Sequence, residues 1–565
     1  MKSVLKFLKP YMGSVLFCLI IKAISSISEL AIPRMLAIII DEDVPSGEIK
    51  AVLRSGAIML GFAVLTLFFN VVGNKVSGYT TGKIARDLRA ELFNKTANLS
   101  TEQSDRVGIS SLTSRLTTDT YNITQFLARI QRIGIKAPLT LIVGIVITLT
   151  IDPRLSLILI ALLPIVSLTV FLITKRAIPL YNEEQQLLDG IVRRVDETAS
   201  GIRVIKALSK TEFEKERFSG SVDAVAKKEV QAGKVMSLTK PINDFLFYMG
   251  FCAVILVGYY ISLKEGEAAA GKLLAFMTYF TVILNSMIMM SRVFIQGSKA
   301  IASGARIEAI LLTEESLTNV ELTDSRVEGY IVFDRVSFSY NKKSDNLKDV
   351  SFSLKKGQTL GIIGATGSGK STLLSLLLRL YDADSGNIYI DGRNVKSIPS
   401  PQLRSMFGVV FQNDFIFAGS VRDNIDFFRG IDEAKLSDAI DIAQADFVYS
   451  LKDGIDSQLT TGATNLSGGQ KQRLLIARAL AGEPEILLLD DCSSALDYRT
   501  DAKLRRAVRE RSRATSVIVS QRVASVMHAD LILVLDGGRV IGSGRHEELI
   551  AACDEYRDIA EVQGI

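Results

Sequence analysis

Six membrane-crossing helices joined to one α/β phosphate-binding domain are the fold the sequence predicts, and three observations predict it. Only 22% of the 565 residues are charged and the mean hydropathy is positive, at +0.27. That texture fits neither a water-soluble globule nor a bare membrane bundle, so the apolar residues must be segregated. Residues 1 to about 300 do hold six apolar stretches, at roughly 12–40, 54–80, 134–151, 155–175, 244–263 and 273–296. At about 1.5 Å per residue most can cross a hydrocarbon core of ~30 Å. From about residue 325 the chain turns to short apolar strands, glycine turns and polar helices. Among these, Leu360-Gly361-Ile362-Ile363 runs into the loop Gly364-Ala365-Thr366-Gly367-Ser368-Gly369-Lys370-Ser371, followed by an apolar helix from Leu373 to Leu380.

The expected division is an all-α transmembrane domain over 1–310, a linker over 311–328 and an α/β domain over 329–565. Charge near the span ends sets the orientation. Lys2, Lys6 and Lys9 precede the first span, and Lys83, Arg86, Arg89, Lys95, Arg106, Arg115, Arg129 and Arg132 lie between the second and third. The first connection is acidic, Asp41-Glu42-Asp43-Val44-Pro45-Ser46-Gly47-Glu48. The N-terminus and the α/β domain are therefore expected in the cytoplasm, with the lipid bilayer as the first partner. The net charge of +5 follows from this bias and calls for no nucleic acid. Cys18 and Cys252 fall in apolar spans and Cys492 and Cys553 in the cytosolic part, so no disulfide framework is expected. His528 and His546 are too few for a metal site. The first apolar stretch is too long for a cleavable signal, and no arginine- and serine-rich leader precedes it, which points to a bacterial plasma membrane.

The glycine-rich loop fits G-x-x-x-x-G-K-[ST]: backbone N–H groups converge on phosphates, Lys370 reaches the terminal oxygens, and the Ser371 hydroxyl ligates Mg²⁺. About 95 residues on, Leu466-Ser467-Gly468-Gly469-Gln470 opens a helix containing Ala477-Arg478-Ala479-Leu480. Its first-turn amides and dipole make an anion-binding N-terminus. About 20 residues later stands Ile486-Leu487-Leu488-Leu489-Asp490. In this order and spacing the chain resembles the ATP-binding cassette (ABC) family. The resemblance implies ATP contacts from Tyr340, which would stack on adenine, from Gly364, Thr366, Gly367, Ser368, Gly369, Lys370, Ser371 and Thr372, and from Gln412. It implies Mg²⁺ ligation by Ser371, Gln412 and Asp490. Leu466 to Gln470 would be the signature that closes on the ATP of a second cassette. Ser494-Ala495-Leu496-Asp497 would be the loop crossing the dimer interface.

The connections between spans two and three and between four and five are too long for ordinary loops and have helical texture. Gly108 to Asp119 in the first, and Glu197 to Phe218 in the second, resemble the intracellular loops of ABC exporters, each expected to carry a coupling helix resting on an ATPase domain. Fusion of membrane domain and ATPase in this order likewise resembles exporters. Within the first span Lys22, Glu29 and Arg34 are costly in lipid, so they should face the bundle interior or water. Either a salt bridge to a neighbouring helix or a place on the substrate path accounts for them, and Pro33 should bend the helix beside them.

Two positions depart from the family's pattern. Asp491 stands where a hydrolytic cassette carries glutamate, and Gln521 follows Val517-Ile518-Val519-Ser520 where it carries histidine. Aspartate is a methylene shorter and holds the attacking water poorly, while neutral glutamine holds no charge near the γ-phosphate. Two cassettes are needed and this chain has one, so a partner half-transporter is expected. The substitutions favour a heterodimer in which this chain carries a degenerate site and lends its signature to a competent one, as in bacterial multidrug-type exporters. The alternatives are a homodimeric lipid or drug exporter, and an ATP-gated regulatory module with little hydrolysis.

Overall fold

The computed structural model describes residues 6–265, 270–314, 317, 319–320, 327–492 and 496–565. The chain divides into two compact units, one of Met1–Ala97 and Ile109–Thr313, the other of Asn98–Gly108 and Glu314–Ile565.

Among its described residues the first unit has helices as its only regular elements, joined by short turns. Its principal elements are α1 (Met12–Ile38) and α2 (Ile49–Ala97) before the short α3 (Thr101–Val107), which belongs to the other unit. They continue as α4 (Lys136–Ile151), α5 (Pro153–Ser200), α6 (Ile202–Ala207), α7 (Thr211–Ser237), α8 (Thr239–Glu265) and α9 (Ala270–Leu311). Six helical segments are long and apolar enough to cross a membrane: Lys6–Asp43, Ile49–Ala97, Ile109–Ile151, Pro153–Ser200, Thr211–Ile261 and Ala270–Met290. Each overlaps one of the six apolar stretches; the fifth and sixth stop a few residues short of its end, and several others run well beyond it, as the long connections suggested.

Local chemistry fixes the breaks. Asp152 caps α5 by accepting from the amides of Arg154 at 2.8 Å and Leu155 at 3.3 Å, and Pro153 at the first position has no amide to leave unpaired. The α1 helix continues unbroken through Pro33. Proline leaves the Glu29 carbonyl without its usual amide. The next carbonyl, of Leu30, accepts the buried Tyr279 hydroxyl at 2.5 Å.

The membrane-domain charges take separate partners. Lys22, 2% exposed, donates to the Asn70 side chain at 2.5 Å and the Asn74 side chain at 2.8 Å on α2. Glu29 pairs with Lys136 of α4 at 2.6 Å, the interhelical salt bridge that was one of the two readings. Arg34 is exposed. Apolar side chains of and beside α6 are exposed too, Ile202, Val204 and Leu208 among them.

The second unit is built on two main sheets, beside a small two-stranded ribbon in which Gly419–Ser420 pairs with Gln458–Leu459. Strands β1 (Ile331–Phe338), β2 (Leu347–Leu354) and β4 (Ser385–Ile390) form an antiparallel sheet with β1 in the middle. The other sheet contains β3 (Thr359–Gly364), β5 (Phe407–Val410), β6 (Ile486–Asp490), β7 (Thr515–Val519), β8 (Leu531–Asp536) and β9 (Arg539–Gly544) in the order β9-β8-β3-β7-β6-β5. It is parallel except for β9, which pairs antiparallel with β8. Every residue of β6 is buried, as the near-continuous apolar run of a covered parallel strand requires. The central strands β3, β7 and β6 all end in the candidate site, at the carboxyl edge where ligands of α/β sheets bind.

In this unit α3 begins with a capping box: the Ser100 hydroxyl accepts from the Gln103 amide at 3.2 Å, and the Gln103 side chain accepts from the Ser100 amide at 3.1 Å. Gln103 also donates to the Glu314 carbonyl at 2.6 Å, and the Tyr381 hydroxyl donates to Asp105. The helix that rests on the ATPase unit is therefore Thr101–Val107, just before the Gly108–Asp119 segment singled out in the sequence, which belongs mostly to the first unit.

Candidate nucleotide-binding site

The loop after β3 bends back on itself and opens α10 (Lys370–Leu377). Two of its glycines are obligatory. Gly364 has φ +155°, and a Cβ there would lie 2.1 Å from the Leu535 carbonyl; Gly369 has φ +104°, and its Cβ would lie 2.7 Å from the Asn346 carbonyl. The Lys370 ammonium folds into the loop, donating to the carbonyls of Gly364 at 2.9 Å and Ala365 at 2.7 Å. The Ser371 hydroxyl donates to Asp490 at 2.8 Å.

These groups face a cavity of about 200 Å³ lined by Thr366, Gly367, Gly369 to Thr372, Gln412, Asp490, Asp491 and Gln521, with Asn346, Val519 and Ser520. Five separate stretches of sequence thus meet at one place. The buried Ser368 hydroxyl finds no partner among the described residues, which suits an added phosphate oxygen. Ser371, Gln412 and Asp490 have the hard oxygen donors that Mg²⁺ prefers. Asn346 was not foreseen; its side chain accepts from the Tyr340 amide at 3.2 Å, and no local motif marks it.

Burial pushes the Asp490 carboxyl above its usual range, with neighbouring Asp491 adding to it and Ser371 and Lys370 opposing. Burial raises Asp491 as well, against Arg522 and Lys370. It lowers Lys370, against both aspartates. A raised carboxylate is the stronger proton acceptor. Asp491 also stands at φ +47°, a left-handed conformation that aspartate tolerates better than most residues, and its amide donates to the Val519 carbonyl at 2.9 Å. Cys492 beside it is buried, and burial pushes its thiol up to about 12, so it is no nucleophile.

Tyr340 is half exposed and stands edge-on to Tyr381, with ring centroids 5.1 Å apart; its hydroxyl lies 3.5 Å from that of Thr372. The same Tyr381 holds Asp105 of α3, so the ring proposed to meet adenine and the helix lying on the ATPase unit share one neighbour.

Leu466 to Gln470 do not line the cavity. Ser467 caps α11 (Gly468–Leu480) in a second capping box, accepting from the Gln470 amide at 3.3 Å while the Gln470 side chain accepts from the Ser467 amide at 2.8 Å. Ser467 and Gly468 are exposed, so the helix N-terminus offers its free amides outward. Farther along α11, Arg478 donates to the carbonyls of Phe415 at 2.9 Å and Asn424 at 2.8 Å, tying this helix to the segment that follows Gln412. In the interface loop, Ser494 and Ala495 lie outside the described residues. Leu496 is buried, and Asp497 caps α12 (Tyr498–Arg511) by accepting from the Thr500 amide at 2.9 Å.

Fold and site together define a P-loop ATPase fused to a six-helix membrane domain. The comparisons narrow this further. The ABC transporter transmembrane region matches residues 15–287, and the ABC transporter family matches residues 347–494. The chain is 34% identical over 568 residues to the uncharacterized ABC transporter ATP-binding protein YfiB of Bacillus subtilis (strain 168), covering 100% of this chain and 98% of that one. It is 31% identical over 568 residues to the uncharacterized ABC transporter ATP-binding protein Rv1273c of Mycobacterium tuberculosis (strain ATCC 25618 / H37Rv), covering 99% and 97%. Among solved structures, a bacterial Atm1-family ABC exporter with ATP bound matches with a TM-score of 0.83 over 99% of each chain, at 23% identity that speaks to fold alone. The chain belongs to the ABC transporter family. It is a multi-pass membrane protein with the fold of an exporter, and its cytoplasmic ATPase domain binds and hydrolyses ATP.

Proposed function

We propose that this chain is one half of a heterodimeric exporter in which its own composite ATP site is degenerate and its signature serves the competent site of the partner. One observation carries the reading. Asp491 and Gln521, the two altered positions, both line the nucleotide cavity, whereas the capped, outward-facing signature at Ser467 is intact. In this arrangement Lys370 and the loop amides hold the phosphates, Ser371, Gln412 and Asp490 hold Mg²⁺, and Tyr340 supports adenine. Asp491 orients water less well than a longer carboxylate would, so ATP remains bound here through many turnovers of the other site.

Two exposed apolar surfaces support a partner: Ile202, Val204 and Leu208 at α6, and the aromatic cluster Phe415, Phe417, Phe427 and Phe428 on the ATPase unit. Each is a group of neighbouring exposed apolar side chains, the chemistry that a second half-transporter would cover. The degenerate-site arrangement is the one that resembles multidrug-type exporters, and drug, lipid, peptide and metal chelate all stay open as the substrate. Lys22, held by Asn70 and Asn74, and Glu29, paired with Lys136, are explained as structural charges, which leaves exposed Arg34 as the one of the three assigned to a substrate path.

The experiment is the ATPase rate of the purified chain, of a half-transporter carrying glutamate and histidine at the two altered positions, and of their mixture. Slow turnover by this chain alone and restored turnover on mixing are expected. Rapid turnover by this chain alone would sink the heterodimer.

A further inference from the structure

The loop between β7 and α13 (Val523–Val526) carries Gln521 into the nucleotide cavity, so its backbone decides where that side chain stands. Most of the loop is held from inside the site: the Ser520 amide donates to the Ile362 carbonyl at 3.1 Å, and the Arg522 amide to the Ser520 hydroxyl at 3.0 Å. Two further groups of the loop are the Gln521 carbonyl and the Val523 amide. One side chain from the far end of the sequence takes both. The Gln563 amide nitrogen donates to the Gln521 carbonyl at 2.9 Å, and its oxygen accepts from the Val523 amide at 2.8 Å. A carbonyl can only accept and an N–H can only donate, so the primary amide fits in a single orientation.

Gln563 is itself well fixed. After the short α14 (His546–Ala552) comes α15 (Asp554–Val562), which Gln563 follows, and that helix closes on a turn in which the Gly564 amide donates to the Glu561 carbonyl and the Ile565 amide to the Ala560 carbonyl, both at 3.0 Å. Gly564 stands at φ +72°, as such a closure requires. Tyr556 and Ala560 of α15 are fully buried in an apolar cluster with Val523, Val526, Ile532 and Ile363, the last of these on β3 just before the phosphate loop. The clamp is thus anchored to the same core as the floor of the site.

We propose that Gln563 is a positioning residue for ATP hydrolysis, setting the loop that carries Gln521 against the terminal phosphate. Gln563 is not among the residues that line the nucleotide cavity. Its loss should therefore slow the chemical step without loosening ATP, whose affinity rests on the phosphate loop and the adenine platform. The clamp lies within one chain, so the inference holds for a homodimer and a heterodimer alike.

The test uses the full chain alone in lipid nanodiscs, where any turnover comes from sites that contain its own Gln563. Gln563→Ala and Gln563→Glu are each expected to lower kcat about tenfold, since catalytic geometry tolerates only small displacements. KM for ATP should stay within about twofold on the same ground, because the clamp is remote from the binding groups. Amide hydrogen exchange at residues 521–523 should rise while exchange over α15 does not. Gln563→Glu keeps the size and the acceptor for Val523, so it reports on the lost donor even if the alanine variant folds poorly. Unchanged exchange at 521–523, or kcat equal to the parent, overturns the proposal; so does a kcat loss matched by an equal rise in KM. Whether the unmodified chain turns over slowly or fast bears on the heterodimer instead, so the two readings can fail separately.

Discussion

Ser467→Arg abolishes transport by the assembled exporter, whereas Lys370→Ala reduces it without abolishing it: this is the largest contrast expected of the proposed heterodimer. Ser467 caps α11 and faces outward, where the terminal phosphate on the partner's loop must reach the first-turn amides. Loss of the cap alone costs about 1 kcal/mol of helix stability. The larger effect is steric, because a long guanidinium side chain occupies the approach to the helix N-terminus of the competent site. Lys370 belongs to the other composite site. Its ammonium sits among the carbonyls of the phosphate loop, and alanine removes one phosphate contact from a site that already hydrolyses slowly. Transport and steady-state ATPase at equal expression compare the two variants. A dead Lys370→Ala beside an active Ser467→Arg would mean that the sites are assigned the wrong way round.

Asp491→Glu with Gln521→His raises hydrolysis at this chain's own site by something of the order of 100-fold, the scale on which a misplacement of about 1 Å in catalytic geometry acts. Both side chains already line the cavity, so the double substitution changes reach and charge without rebuilding the site. Glutamate at position 491 must adopt the left-handed backbone that aspartate holds at φ +47°. That costs on the order of 1 kcal/mol, less than the expected catalytic gain. Hydrolysis by the chain alone, before and after substitution, measures it, and no gain would place the limit elsewhere in the composite site.

What the sequence made legible were features with short-range signatures. The loop from Gly364 to Ser371 reads directly because each residue acts through its own backbone or side chain, and the six spans read because lipid imposes a length and a composition. Features that depend on distant packing did not. Lys22 and Glu29 share a helix face in the sequence, yet seven residues separate them by about 10 Å along the axis. That is far enough for one to meet Asn70 and Asn74 on α2 and the other Lys136 on α4. The helix lying on the ATPase unit was read slightly too late in the chain, although Ser100 and Gln103 spell a capping box that would have located it. Asn346 and Gln563 carry no motif at all. Each reaches the site through a contact with a segment far away in the sequence, and only the fold brings that segment near.

Trapping nucleotide in the assembled exporter tests the inequality of the two sites most directly. With a photoreactive ATP and vanadate, the proposed heterodimer should retain intact ATP on this chain's phosphate loop around Lys370 and trapped ADP on the partner's loop, opposite Ser467. Equal trapping of ADP on both loops would contradict it.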